Sequence, residues 1–328
     1  MRIYVIGDKN QELENLNSGR NEVIYTSIFS AIFTILFNRG SIIYSEKENS
    51  VLDVLQKIFK LPYLYGKLES ILEFENHYAK IKKYEIPVLM YHQFVNEKSE
   101  GGKIKLFVTK KQFELHLKIL KWLNYETITF EDLEKIGLQN RFYKKYIILT
   151  VDDGYKDNYT ILYPMLKKYN MKAVIFLVSG LDYNRWTVES DNEKRFDLMS
   201  DEEVMELQNS GHIEFGGHTL THVSFFDVDD ERAREEIVKD KEITEKRLGK
   251  KLKVFAYPYG HKRKEVVEMV KECGYSFAVS TDTGSGIFTK DLFDIRRIAI
   301  DKTSLINFLR RISPRYLQYK ARKYKDKF

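Results

Sequence analysis

Asp152 and Asp153 stand side by side at the end of an apolar run, where residues 147–158 read IILTVDDGYKDN. Downstream, His218 and His222 are separated by three residues in HTLTH, directly after a Gly-Gly pair. Two imidazoles at that spacing can face one point. With one carboxylate they complete a His, His, Asp set that suits a borderline divalent cation such as zinc and leaves positions open for water and substrate. Adjacent carboxylates face different ways, so one can ligate the cation while the other accepts a proton from its water. Asp-Gly is also a common turn pair, and His pairs also serve as caps or surface residues. The two features together, at different points of the chain, favour the chemistry.

Such chemistry needs a scaffold that brings distant segments together. From residue 86 short apolar runs alternate with amphipathic stretches: PVLMYH, KKQFELHLKILKWL, YETITF, FEDLEKIG, YIILTVDD, NYTILYPMLKKYN, KAVIFLV, SDEEVMELQNSG, IEFGGH, DERAREEIVKDKEITEKRLG, VFAYPYG, KEVVEMVKECG and SFAVST. Repeated strand-then-helix units predict parallel strands, and about seven of them predict a barrel, whose chemistry gathers at the carboxyl ends of the strands. Asp152, Asp153, Tyr91, His92, His218 and Tyr259 all fall at such ends. Residues 1–85 read as a small α/β region of unknown role. RIYVI and SIIY predict strands, with helical periodicity between them and again over 49–60 and 66–82. The most apolar run, SIFSAIFTILF at 27–37, is about half the ~20 residues needed to span a bilayer and predicts a buried helix.

On these residues, the chain from 86 to 302 resembles the polysaccharide deacetylases with a NodB homology domain, carbohydrate esterase family 4. TVDDG looks like the family's Thr-Phe-Asp-Asp-Gly motif, HTLTH like its His-Thr-x-x-His motif, and FAYPYG like its third motif around Pro-Tyr-Gly. The resemblance implies a distorted (β/α)7-type barrel, an α/β fold, and metal-dependent removal of N-acetyl groups from an oligosaccharide, polysaccharide or lipid-linked glycan precursor. It implies Asp152 as the base, Asp153, His218 and His222 as ligands to a divalent metal, most naturally zinc, and the backbone N–H of Tyr259 as an oxyanion donor. The rings of Tyr257 and Tyr259 are expected to line the sugar cleft.

Two departures shift the assignments. No histidine follows His261 to fill the family's late Leu-x-His motif. VLMYHQF resembles the opening strand of the circularly permuted branch, the poly-β-1,6-N-acetylglucosamine deacetylases, which makes His92 the expected general acid. The third motif lacks the arginine that orients the base, and Arg297 in FDIRRIAI is the expected substitute, with Arg296 the alternative, because a strand-end Arg can grip a carboxylate with two hydrogen bonds. O-deacetylation or deformylation of a lipid-linked sugar would need the same constellation. A non-catalytic glycan-binding barrel is the reading from another class, and the presence of every ligand and the base argues against it.

Composition fits a folded globular chain: 328 residues, 43% hydrophobic and 31% charged, with 5 prolines. The single cysteine, Cys273, reads as a small core residue. Charge is unevenly placed. From Arg310 to Phe328 eight Lys or Arg face one Asp, 8 − 1 = +7, against a net +6 for the whole chain. Residues 303–328 therefore read as a basic amphipathic tail suited to an anionic membrane surface. Nucleic acid is not the expected partner, since no nucleic-acid fold signature accompanies the basic stretch. No apolar h-region follows MRIYVIGDKNQELENLNSG, which predicts a cytoplasmic protein held peripherally at the inner face of the membrane.

Overall fold

The computed structural model describes residues 2–6, 22–25, 41–45, 63–65, 86–138, 145–281, 291–301, 303–313 and 316. The chain forms two units, one of residues 1–84 with two short later segments, the other of the remainder. In the first, strands β1 (Arg2–Ile6), β2 (Glu22–Tyr25), β3 (Ser41–Ser45) and β4 (Tyr63–Tyr65) form a parallel sheet in the order β2-β1-β3-β4. Two of these strands match RIYVI and SIIY; the other two are additions to the sequence reading. The helices expected between them and over 27–37, 49–60 and 66–82 lie outside the described residues.

The second unit is a curled parallel sheet flanked by helices. Its strands are β5 (Val88–Tyr91), β9 (Lys145–Val151), β10 (Ala173–Leu177), β11 (Ile213–Gly217), β12 (Val254–Ala256), β13 (Phe277–Val279) and β14 (Ile298–Ala299). They are ordered β13-β12-β11-β10-β9-β5-β14, with β8 (Tyr125–Thr127) beside β9 and a separate parallel pair of β6 (Gln93–Val95) and β7 (Phe107–Thr109). Strands β10, β11, β12 and β13 are buried along their whole length, which explains why β10, β12 and β13 read as unbroken apolar runs rather than alternating ones.

One segment joins the two edges of the curl. Ile295 exchanges backbone hydrogen bonds with Ala278 and Ser280, beyond β13, while Ile298 and Ala299 pair with Leu89 and Met90 of β5. Residues 295–300 therefore bond both edges, and Arg297 lies between them. This is the barrel expected from the strand count, closed by a two-residue strand too short to stand out in the sequence.

The helices are α1 (Lys110–Trp122), α2 (Phe130–Ile136), α3 (Tyr163–Tyr169), α4 (Arg185–Asp191), α5 (Asp201–Asn209), α6 (Asp230–Leu248), α7 (Lys264–Glu272) and α8 (Leu305–Ile312). Capping boxes at Thr129/Asp132 and Ser200/Glu203 fix the starts of α2 and α5. The helix predicted over 158–170 begins instead as a π-turn, Asn158–Leu162, before α3 continues with Pro164 in its first turn. Such turns recur near functional sites.

The C-terminal boundary at 303 needs correction. Helix α8 is part of the packed unit: Phe308 and Ile312 are buried, the Phe308 ring stacks on His116 at 4.0 Å, and the Arg311 guanidinium bonds the Ala299 carbonyl and Thr303. Residues 305–312 therefore belong to the packed unit, and Tyr316 beyond them bonds back to Ser313 and lies under Arg310. No helix among the described residues is long and apolar enough to cross a membrane.

Candidate active site

The strand ends of the second unit bring the two aspartates and two histidines to one place. Strand β9 delivers Asp152 directly after Val151, with its N–H bonded to the Tyr91 carbonyl at 3.0 Å. Asp153 then turns to a φ of +77°, followed by Gly154 at +73°, so the two side chains diverge as the adjacent pair requires. Strand β11 can press between its neighbours because it ends in glycines. A Cβ on Gly216 would lie 2.6 Å from the Phe176 ring, and one on Gly217 2.3 Å from the Tyr275 hydroxyl. His218 follows directly, and its Nδ1 lies 2.7 Å from the Ala256 carbonyl of β12. That bond makes Nδ1 the protonated nitrogen and leaves Nε2 with a free lone pair.

The HTLTH turn is held from behind by α6. Glu236, fully buried, accepts from the Thr221 N–H at 2.8 Å and from its hydroxyl at 2.6 Å. His222 reaches the site in left-handed backbone (φ +60°), its N–H bonded to Thr219 Oγ1 at 3.0 Å. Among the described residues, eight non-glycines have positive φ. Four are Lys105 and three asparagines, but the others are Asp153, Thr219, His222 and Tyr259. Backbone of this kind costs ~1–3 kcal/mol per residue where no side chain favours it, and here the cost is concentrated around one point.

At that point Asp153 Oδ1 lies 3.4 Å from His218 Nε2 and 3.3 Å from His222 Nε2. One ligand atom from each residue lies within 4.8 Å of the others. Asp153 Oδ1 and His222 Nδ1 are buried without an aligned hydrogen-bond partner. Burial pushes the Asp153 carboxyl up, but the two imidazoles outweigh it and hold it well below the carboxylate range. Burial also lowers His222, against the pull of Asp153. A buried carboxylate and two imidazoles whose ligand atoms converge within 4.8 Å form the donor set of a divalent cation, so these residues fit the metal that the sequence implied.

Asp152 has different neighbours. Arg297 donates through Nη1 to Oδ1 at 2.5 Å and through Nη2 to Oδ2 at 2.8 Å. The guanidinium is itself fixed by the Ser280 carbonyl at 2.8 Å and Thr150 Oγ1 at 3.2 Å, and it lies over the Phe176 ring. Burial raises the Asp152 carboxyl, but Arg297 leads the charges that hold it below its ordinary value. The sequence alternative Arg296 is buried but makes no such contact. His92 stands beside this pair, its Nε2 3.8 Å from Asp152 Oδ2 and its Nδ1 3.3 Å from Asp301 Oδ2. The second contact has ion-pair distance without hydrogen-bond alignment. Burial pushes the imidazole down, yet Asp301, with Asp152 and Asp153 behind it, raises it to about 9.

Two expectations about aromatic residues diverge. Tyr259, with a φ of +59° in the turn Pro258–Gly260, is half exposed, and its ring centre lies 4.8 Å from that of His222 with the planes nearly perpendicular. Tyr257 does not line the cleft. It is fully buried, packs on Phe225 and Phe255, and donates its hydroxyl to the Phe293 carbonyl at 3.0 Å. Tyr91 is likewise buried, against Phe94, Phe113 and His116. Sequence reasoning missed Asp301, Glu236 and Trp186, whose ring stacks on His222 at 4.4 Å. Of these, only Glu236 had a local signal, its i,i+4 pairing with Arg232.

Comparison with known proteins agrees with this geometry. The sequence profile of the family described as polysaccharide deacetylase matches residues 139–278. A putative polysaccharide deacetylase of Bacillus subtilis is 28% identical over 220 residues, covering 67% of this chain and 72% of the relative. The poly-β-1,6-N-acetyl-D-glucosamine N-deacetylase of Staphylococcus aureus is 26% identical over 250 residues, covering 71% and 84%. The crystal structure of a putative polysaccharide deacetylase from Bacillus anthracis superposes with a TM-score of 0.58 at 29% identity, over 70% of this chain and 69% of that one. The segment that carries Asp152, Asp153, His218 and His222 thus matches the polysaccharide deacetylase family over residues 139–278.

Proposed function

We propose that this chain is a metal-dependent hydrolase that removes N-acetyl groups from an N-acetylated sugar of a glycan and releases acetate. The observation that carries the reading is the adjacency of two differently equipped carboxylates: Asp153 facing two imidazole nitrogens, and Asp152 gripped by Arg297 beside His92. A divalent cation, zinc foremost, held by Asp153, His218 and His222 would acidify water and polarise the acyl oxygen. Asp152 then accepts the proton of the attacking water, with Arg297 fixing the carboxylate plane. His92, kept protonated by Asp301, gives a proton to the departing sugar nitrogen. The backbone N–H of Tyr259 is assigned to the oxygen on which negative charge develops.

The name of the Staphylococcus aureus relative supports an N-acetylglucosamine-containing substrate. The test is acetate release by metal-loaded protein from N-acetylated oligosaccharides, run beside O-acetylated and N-formylated analogues. Release from the N-acetylated series is expected, and release only from the others would move the assignment to a different acyl bond. The same reading gives the basic segment beyond Ser313 an anionic membrane surface to bind. From 314 to 328 six Lys or Arg face one Asp, 6 − 1 = +5, at up to about 1 kcal/mol per basic residue near such a surface. Protein ending at Ser313 should lose salt-sensitive co-sedimentation with anionic vesicles, and equal binding by both lengths would remove the segment from this role.

A further inference from the structure

A row of rings runs outward from the ligand His222, and the proposed chemistry uses only its inner end. Trp186 stacks on one side of His222, at 4.4 Å and 22°, and Tyr259 meets it edge-on at 4.8 Å and 76°. The Tyr259 ring lies 5.5 Å from His261, and His261 lies nearly flat on Phe226 at 4.5 Å and 24°. Tyr259 is 49% exposed and Phe226 62%. A phenylalanine so exposed forgoes most of the ~1.5–3 kcal/mol that full burial of its side chain would contribute.

The outer end of this row is built, not frayed. Phe225, the neighbour of Phe226, is fully buried against Phe255 and Tyr257 and anchors the loop from below. Ser224 Oγ lies 3.0 Å from His261 Nδ1 and accepts from the Phe226 N–H at 3.3 Å, so one hydroxyl fixes both stacked rings. Arg263 bonds the Phe225 carbonyl and, at 2.6 Å, the Asp230 carboxylate at the start of α6. The rings are therefore held in place before any ligand arrives, which lowers the ordering cost of binding.

We propose that Tyr259, His261 and Phe226 form a stacking platform for a sugar residue further along the glycan than the one whose acyl group is cut. A pyranose has flat apolar C–H faces and hydroxyls around its rim, so it matches a strip of exposed ring surface edged by polar groups. The strip is continuous with the ligand His222, so a sugar on Phe226 and one at the metal lie along one path. The substrate is accordingly an oligosaccharide or polymer, and a free monosaccharide would leave the outer rings unused. This assignment rests on the deacetylase reading for the chemistry at the inner end.

The experiment compares wild type, Phe226→Ala and Phe226→Trp in the full metal-loaded chain. Binding of N-acetylated β-linked oligosaccharides from one to six sugars is measured by calorimetry, with acetate release followed on the same series. Phe226→Ala should leave the monosaccharide unchanged and weaken the longer oligomers by roughly three- to tenfold, the ratio an aromatic contact of this kind supplies. Phe226→Trp should restore them. Equal weakening at every length, or none at any, overturns the platform. Failure of the deacetylase reading looks different: wild type would release no acetate from any oligomer, whatever the length dependence of binding.

Discussion

Two neighbouring carboxylates at the end of β9 have opposite surroundings. Asp152 has both oxygens bonded by Arg297, at 2.5 and 2.8 Å, so its half of the site is complete as the chain folds. Asp153 points an oxygen at two imidazole nitrogens 3.3 and 3.4 Å away, and the bond of His218 Nδ1 to the Ala256 carbonyl turns its Nε2 toward that gap. Asp153 Oδ1 and His222 Nδ1 stay buried without an aligned partner, and left-handed backbone at Asp153 and His222 adds strain. The fold thus builds one half around its own cation, the Arg297 guanidinium, and the other around a donor set that could hold a metal ion. The difference teaches that adjacent identical residues take different roles because the sheet offers them different partners.

The largest effects should come from the half that needs the outside cation. Asp153→Ala, His218→Ala or His222→Ala should each drop bound metal far below one ion per chain and bring acetate release to background. Each removes one of the three proposed protein ligands. Wild type should also gain thermal stability on metal addition, because the ion binds only the folded state, and the variants should gain little. A variant that keeps stoichiometric metal and activity would break the comparison.

The Arg297 half should fail in another way. Asp152→Asn should keep its metal and lose most turnover, since an amide accepts no proton; loss of metal instead would make Asp152 a ligand. Arg297→Ala leaves a carboxylate buried without a partner and should cost ~3–5 kcal/mol of stability in chemical denaturation. An unchanged midpoint would show that the pair contributes nothing. His92→Ala should retain metal and slow turnover by roughly 10²–10⁴, the range of a positioned acid or base. Wild-type rates in that variant would send the search for the acid elsewhere.

These two halves were not equally legible. TVDDG and HTLTH are contiguous and sit at strand ends, so the sequence pointed to Asp153, His218 and His222 together, and the fold brings their ligand atoms within 4.8 Å of one another. Arg297 could be named because the closing segment follows the last strand, but Asp301 could not, since nothing local marks an aspartate that meets His92 only after the barrel closes. Tyr257 was misplaced for a related reason. Its neighbours Phe225 and Phe255 come from different elements, and sequence shows position along a strand better than what lies across from it. In α8 the signal was present and hidden. Phe308 and Ile312 are spaced as a helical stripe, yet the surrounding basic residues made the segment read as a tail.

The smallest predicted effect is the most specific to the proton-transfer half, because it separates His92 as an acid from His92 as a packing residue. In metal-free protein burial lowers the imidazole, while Asp301 outweighs burial and raises it from 6.5 to about 9. A raised histidine stabilises the fold in its protonated form. The contribution is fully present below about 6.5, the unfolded value, and is lost as pH rises through about 9. Asp301→Asn removes the leading positive contribution, so the NMR midpoint of His92 should fall. The stability gap between wild type and variant should close as pH rises over that same window. In the metal-loaded enzyme the variant should lose roughly 10- to 100-fold in turnover, the usual penalty for removing a partner that orients a working histidine, and its pH–rate profile should fall off at lower pH on the alkaline side. An unmoved His92 midpoint, or a turnover loss with no change in the profile, would show that Asp301 serves only the packing of the closing segment and would leave Arg297 as the sole long-range contribution to this half of the site.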